Sequence, residues 1–401
     1  MNLPADYEAG ARRVSNTARA LRANNSAALE LFMSATTSTT TTNAATLNAP
    51  SGARTSALSV RWIIGARDDL VWFIGSVVSS YALFALYVGG IVPLVPMVAA
   101  WAILIDAPHV FGTFSRTYFD REERRARSRL LWGSLAFFAV GPLMVLAGLG
   151  LVFFFLAALW AYYHLVKQHY GFMVLYKKKN ADLAPTDNAL DRLFILLALT
   201  YPFVAFVARD PEALARVPAK LSGGIAYLET VLLAATVCAA LLWVLRQVQR
   251  AVQRQPLDVP KYLLLAACVP MHWAVLLTPM PHKPIAIVAI LTIYHNLQYH
   301  RLIWFHNRKY AGDNNGEGRE RYGAAELISR RLVYYLAFGV LFGLWYQVPR
   351  QYIGYTSGRG AHLTQLVAAF FWGYAFIHYY LDSKIWRVRR DPSVGQALKM
   401  Q

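Results

Sequence analysis

Cysteine is almost missing from this chain, with two in 401 residues. Cys238 and Cys268 both fall inside long apolar stretches, so neither a disulfide framework nor a thiolate metal centre is expected. Charge is scarce as well: Asp, Glu, Lys and Arg make up 15% of the residues, against 56% hydrophobic. A chain of that composition with recurring apolar runs of about 20 residues is not a soluble globular enzyme; it belongs to the membrane class. Acids are the scarcest charges, 22 against 40 Lys and Arg, for a formal charge of +18. In a soluble protein that excess would point to nucleic acid. Here the bases cluster at the ends of apolar runs, the pattern that sets membrane orientation, and no nucleic-acid partner is expected.

Residues 1–67 lack apolar periodicity and carry the low-complexity run SATTSTTTTNAAT, which reads as a disordered tail. The tail is arginine-bearing and acid-poor like an organelle transit peptide, but no other eukaryotic cue accompanies it, and it is read as bacterial. No secretory signal peptide is evident. Residues 68–386 hold about ten apolar stretches that could span a bilayer, at 71–90, 92–111, 130–147, 149–172, 192–208, 223–245, 262–280, 284–304, 332–348 and 363–383. A short basic tail, 387–401, follows. Of the 40 Lys and Arg, only Arg209, Arg216, Lys220, Lys283, Arg350 and Arg359 fall in the loops of one side. That bias places both termini in the cytoplasm. The expected fold is therefore an all-α, polytopic transmembrane helix bundle, in a bacterial inner membrane.

This topology gathers histidines. His109 closes the second stretch, His164 and His169 the fourth, His295, His300 and His306 the eighth, and His378 the tenth, so seven of the ten histidines lie at cytoplasmic ends. Asp106 and His109 are three apart, and His378 and Asp382 four apart, so each pair shares a helix face. His164/His169 and His295/His300 are five apart, a rotation of roughly 140° and a rise of roughly 7.5 Å, which implies two metals or a bent helix. Six imidazoles (His109, His164, His169, His295, His300, His378) with Asp106 and Asp382 exceed what one zinc needs. A nitrogen-rich set with open positions suits iron, two ions by this count, with zinc as the alternative. His306 is placed either as a ligand or at the headgroups. Tyr163, Tyr294, Gln168, Asn296, Gln298 and Tyr299, interleaved among the histidines, are candidates for orienting the imidazoles. His272 reads as a packing residue, and Glu229, inside a span, has no assigned role. The basic runs, Lys177 to Lys179 among them, read as charges facing anionic lipid.

The segments HLVKQH and HNLQYH resemble the first box of the integral-membrane histidine-box oxygenases and desaturases, although the adjacent His-His pairs of that family's later boxes do not occur here. The resemblance implies a non-haem diiron enzyme that works from the cytoplasmic face on a lipid or other hydrophobic substrate, using dioxygen and a separate electron donor. Histidines near helix ends also resemble the single-iron membrane dioxygenases that cleave carotenoids and the intramembrane zinc amidases, where the metal makes a nucleophile of bound water. A bis-histidine haem electron-transfer protein and a transporter are the non-enzyme alternatives.

Overall fold

A computed structural model describes residues 58–310, 317–356, 361–388 and 391–400. The expected tail falls outside them up to residue 57. Among the described residues there are ten long helices, and each covers one of the ten apolar stretches. We label them α1 (Ala66–Val88), α2 (Leu94–Arg116), α3 (Ser128–Leu146), α4 (Gly150–Lys179), α5 (Pro185–Arg209), α6 (Ala219–Val252), α7 (Val259–Leu277), α8 (Lys283–His306), α9 (Leu332–Thr356) and α10 (Ala361–Ile385). Eight of these, α1 to α7 and α9, are long and apolar enough to cross a membrane. The other two, α8 and α10, have 24 and 25 residues, and their apolar character is diluted by the Tyr, His, Asn and Gln they carry.

The folded body begins earlier and ends later than composition implied. Leu58–Ser59 (β1) pairs in parallel with Leu257–Asp258 (β2), and Asn180 ties the strand down by accepting from Ser59 Oγ at 2.6 Å and Arg61 N at 2.8 Å. Residues 58–67 are thus part of the fold and not of a tail. Likewise Val394 of the short helix Pro392–Ala397 and Leu398 just after it are buried in the main core, so the expected basic tail docks on the bundle. The polar segment before α9 forms the helices Glu317–Tyr322 and Ala324–Ser329. Its Ile328 packs with Phe111, Tyr299, Ile303 and Tyr335, so this segment covers the histidine end of the bundle.

Two stretches of wider helical turn shape the centre. In α1, over Asp69–Ile74, Gly75 N bonds to Leu70 O; in α2, over Ala102–Asp106, Ala107 N bonds to Ala102 O, each five residues back. Such turns re-aim side chains and free backbone carbonyls, and they concentrate at functional sites. Polar side chains of α8 meet those carbonyls. Phe73 O accepts from Tyr294 Oη at 2.8 Å and Gln298 Nε2 at 2.6 Å, and Ile105 O from His300 Nε2 at 3.1 Å. Gly339 and Gly343 let α9 approach α2 closely: a Cβ at Gly343 would stand 2.3 Å from Ile103 O, and one at Gly339 2.8 Å from Pro108 Cβ. Small residues four apart are the usual device for close helix contact in lipid.

A buried ionic cluster holds the ends of α4 to α7. Lys177 pairs with Asp191, Lys261 reaches Asp182 at 2.7 Å and Asp191 at 3.1 Å, and Arg250 reaches Asp182 at 3.0 Å. Lys177 is 1% exposed; it is an internal ion-pair partner and does not face lipid headgroups. Glu229 also finds a role, paired with Arg209.

Candidate metal centre

The inner face of α2 reads Asp106, His109, Thr113, Arg116, with spacings of three, four and three that keep these residues on one helix face. A one-face spacing also occurs on α8, with His295, Tyr299 and His306 four and seven apart, and at the end of α10, with His378 and Asp382 four apart and Trp386 four further on, just past the helix. The contacts between the helices match these steps in order, so α2, α8 and α10 run in the same direction and stack their side chains in layers.

The first layer is imidazole. His109 of α2 lies with its ring centre 4.5 Å from His378 and 4.8 Å from His295; His164 of α4 lies 4.8 Å from His378 and 5.1 Å from His295. His109 and His164 face each other across the group at 6.5 Å. The four rings therefore make a quadrilateral with His109 and His164 on one diagonal. Potential ligand atoms of His109, His164 and His378 all lie within 4.8 Å of one another. Metal–nitrogen bonds of about 2.1 Å put two rings on one ion about 4.6 Å apart at a right angle, 5.3 Å at a tetrahedral angle and 6.5 Å when opposite. Sides of 4.5 to 5.1 Å and a diagonal of 6.5 Å lie in or at the edge of that range, so the rings are spaced to share one ion.

The chemistry of the donors fits an ion as well. His109 Nδ1, His164 Nε2, His295 Nδ1 and His378 Nε2 are buried without a hydrogen-bond partner among the described residues. Leaving buried polar atoms unpaired costs about 1 to 3 kcal/mol each.

The second layer is a hydrogen-bonded triad. Thr113 Oγ1 lies 2.7 Å from His378 Nδ1, 2.7 Å from Asp382 Oδ1 and 2.6 Å from Tyr299 Oη, and Tyr299 Oη donates to Asp382 Oδ1 at 2.7 Å. Because the Thr113 proton goes to the carboxylate, its oxygen accepts from His378 Nδ1–H. That fixes the His378 tautomer and leaves the Nε2 lone pair for the first layer, as metal-binding histidines require. Asp382, 3.8 Å from the His378 ring nitrogen, works through Thr113. Thr113 has no signature in a search for histidines and carboxylates; only its i+4 place after His109 would have found it.

The remaining expected residues divide. His300 is buried beside Ile105 and Tyr335, with Nε2 on Ile105 O and Nδ1 3.0 Å from Tyr335 Oη, so both its nitrogens are used. Asp106 accepts from Asn296 Nδ2 at 3.3 Å and is outside the ligand group found among the described residues. Gln168 Nε2 donates to His295 O at 2.8 Å and Gln298 Oε1 at 3.3 Å, joining α4 to α8. Tyr163 is 57% exposed and points away from the imidazoles. His169 turns toward α7: its ring is 5.4 Å from His272, 5.2 Å from a stacked Tyr294 and 6.5 Å from His295. Neither His169 nitrogen has a partner among the described residues; His272 gives Nδ1 to Cys268 O at 2.8 Å and leaves Nε2 without one. His272 is thus part of the imidazole array, and a reading of depth along the chain missed it because α7 runs against α4. His306 and Trp386 form the third layer, with Arg116. Comparison with protein families, with curated proteins and with solved structures finds no match to this chain.

Proposed function

We propose that this chain is an integral membrane metalloenzyme, an oxygenase, hydroxylase or desaturase that oxidises a lipid-like substrate from the cytoplasmic face at a non-haem iron held by His109, His164, His295 and His378. The observation that carries the reading is the quadrilateral of four imidazoles from four helices, each with a buried nitrogen that has no hydrogen-bond partner among the described residues; His109, His164 and His378 bring ligand atoms within 4.8 Å of one another, His295 borders them, and no acid belongs to the group. A nitrogen-rich set that leaves positions open favours iron over a closed zinc site. Bound there, the metal would supply dioxygen activation, with electrons from a separate donor. The chain's own residues set the geometry: Thr113 and Asp382 hold His378 in one tautomer, Tyr299 packs against His109 at 4.5 Å, and the helix bundle keeps water from the reacting carbon. On this reading α8 and α10 also cross the membrane, giving ten spans with both termini inside a bacterial inner membrane; the common direction of α2, α8 and α10 supports that alternation.

A second reading keeps two ions per chain. It is favoured by the His169–His272 pair, whose free nitrogens provide a further locus next to His295. Elemental analysis of protein purified without a polyhistidine tag, with a visible spectrum, separates the cases. One iron per chain and no haem band is the expected result, and two irons, one of them lost on His272→Ala, would establish the second. One zinc would instead point to hydrolysis, and a metal-free protein that reconstitution cannot load would remove the enzyme reading.

A further inference from the structure

Beyond the triad lies the third layer, Arg116, His306 and Trp386. Arg116 is fully buried, and its guanidinium lies 3.9 Å over the Trp386 ring. Among the described residues only Nη2 is engaged, donating to Ile385 O at 3.0 Å, with Asp391 Oδ2 at 3.8 Å. That carboxylate sits on Arg127, at 2.6 Å. Arg116 Nε and Nη1 have no partner among the described residues, nor has Nε2 of His306, which is 1% exposed and borders the same Trp386 ring at 5.7 Å. Lys309 is within electrostatic reach of Arg116 and pairs at 3.6 Å with Asp120. A buried guanidinium with two donors idle is a costly arrangement unless an anion completes it. Arg presents those donors as a fork that matches the oxygens of a carboxylate or phosphate.

We infer that Arg116 and His306 form a binding site for an oxyanion, the charged head of an amphiphilic molecule. Arg116 follows His109 by two helical turns on the same face, roughly 10 Å along the axis. The head would thus be held at the cytoplasmic end of the bundle while the metal layer lies deeper. That this amphiphile is the substrate rests on the metal-centre reading; its binding does not, and it is measured on metal-free protein so that the two fail separately.

The test uses the full chain in a neutral detergent and titrates dodecyl phosphate, dodecanol and inorganic phosphate by calorimetry. Dodecyl phosphate is expected to bind roughly tenfold or more tighter than dodecanol, and Arg116→Gln or His306→Gln to weaken it by roughly tenfold to a hundredfold. If Arg116→Gln does not fold, Arg116→Lys replaces it, expected to weaken binding by losing the fork. Competition by inorganic phosphate would show that a free anion is also accepted; lack of competition would show that the chain of the amphiphile is required; either supports the site. Equal binding of dodecanol and dodecyl phosphate, or unchanged dodecyl phosphate affinity in both the Arg116 and His306 variants, overturns it.

Discussion

Thr113 Oγ1 lies 2.7 Å from His378 Nδ1 and, through its own proton, holds Asp382 at the same distance. This relationship makes Thr113 a positioning residue for the proposed metal layer. Thr113→Val keeps the shape and removes the acceptor, so the His378 N–H loses its partner. Metal affinity is expected to fall by about 10- to 100-fold, with the folded fraction unchanged in size-exclusion chromatography. Affinity equal to that of the unmodified chain would place the triad outside the site.

His300 and His295 are both on α8, yet their variants should behave differently. The nitrogens of His300 are spent on Ile105 O and Tyr335, whereas His295 faces His109 and His164. Metal content per chain is expected to persist in His300→Gln and to drop in His295→Ala. Loss in both would mean that the wide turn of α2, which His300 supports, governs assembly of the whole group.

The ionic cluster gives a stability prediction. Asp191 is fully buried between Lys177 and Lys261 and accepts from Trp243 Nε1 at 2.7 Å. Asp191→Asn leaves two buried ammonium groups short of a counter-charge, a loss of about 3 to 5 kcal/mol. The melting temperature in detergent should fall accordingly; Lys177→Met together with Asp191→Leu should recover part of it.

Asp258, the last residue of β2, caps α7 by accepting from Lys261 N at 3.2 Å. Burial raises its carboxyl to about 6 from 3.8, against the opposing pull of the Lys261 hydrogen bond. The folded state therefore holds a proton that the unfolded chain gives up. The associated stability is complete below pH 3.8 and is lost as pH rises through about 6. Asp258→Asn keeps a capping oxygen, so it should flatten the pH dependence of the melting temperature across that window. An unchanged slope in the variant would assign the dependence to another group.

Much of this architecture is legible in the chain itself. The ten apolar stretches become the ten long helices, eight of them long and apolar enough to cross a membrane, because a helix satisfies its backbone internally, and His109, His295 and His378 meet because α2, α8 and α10 run in the same direction, with His164 of α4 brought against them. Partner choice was not legible. His300 and His295 look equivalent at five residues' spacing, but the freed carbonyl of Ile105 takes one of them. Tyr163 and Gln168 flank histidines in sequence, yet one faces outward and the other joins α4 to α8. Thr113 is marked only by its place four residues after His109 and is defined by contacts with α8 and α10, whereas His272 carries no spacing signal and is defined by the packing of α7 on α4. Lys177 looks like a surface base because its two carboxylate partners, Asp182 and Asp191, lie on other segments.

The most direct measurement is X-ray absorption at the metal edge of the iron-loaded full chain, compared with His378→Ala. About four imidazole nitrogens near 2.1 Å in the unmodified chain, one fewer in the variant, is the result the account predicts. A coordination shell dominated by oxygen, or the same imidazole count in both proteins, would contradict the four-histidine centre.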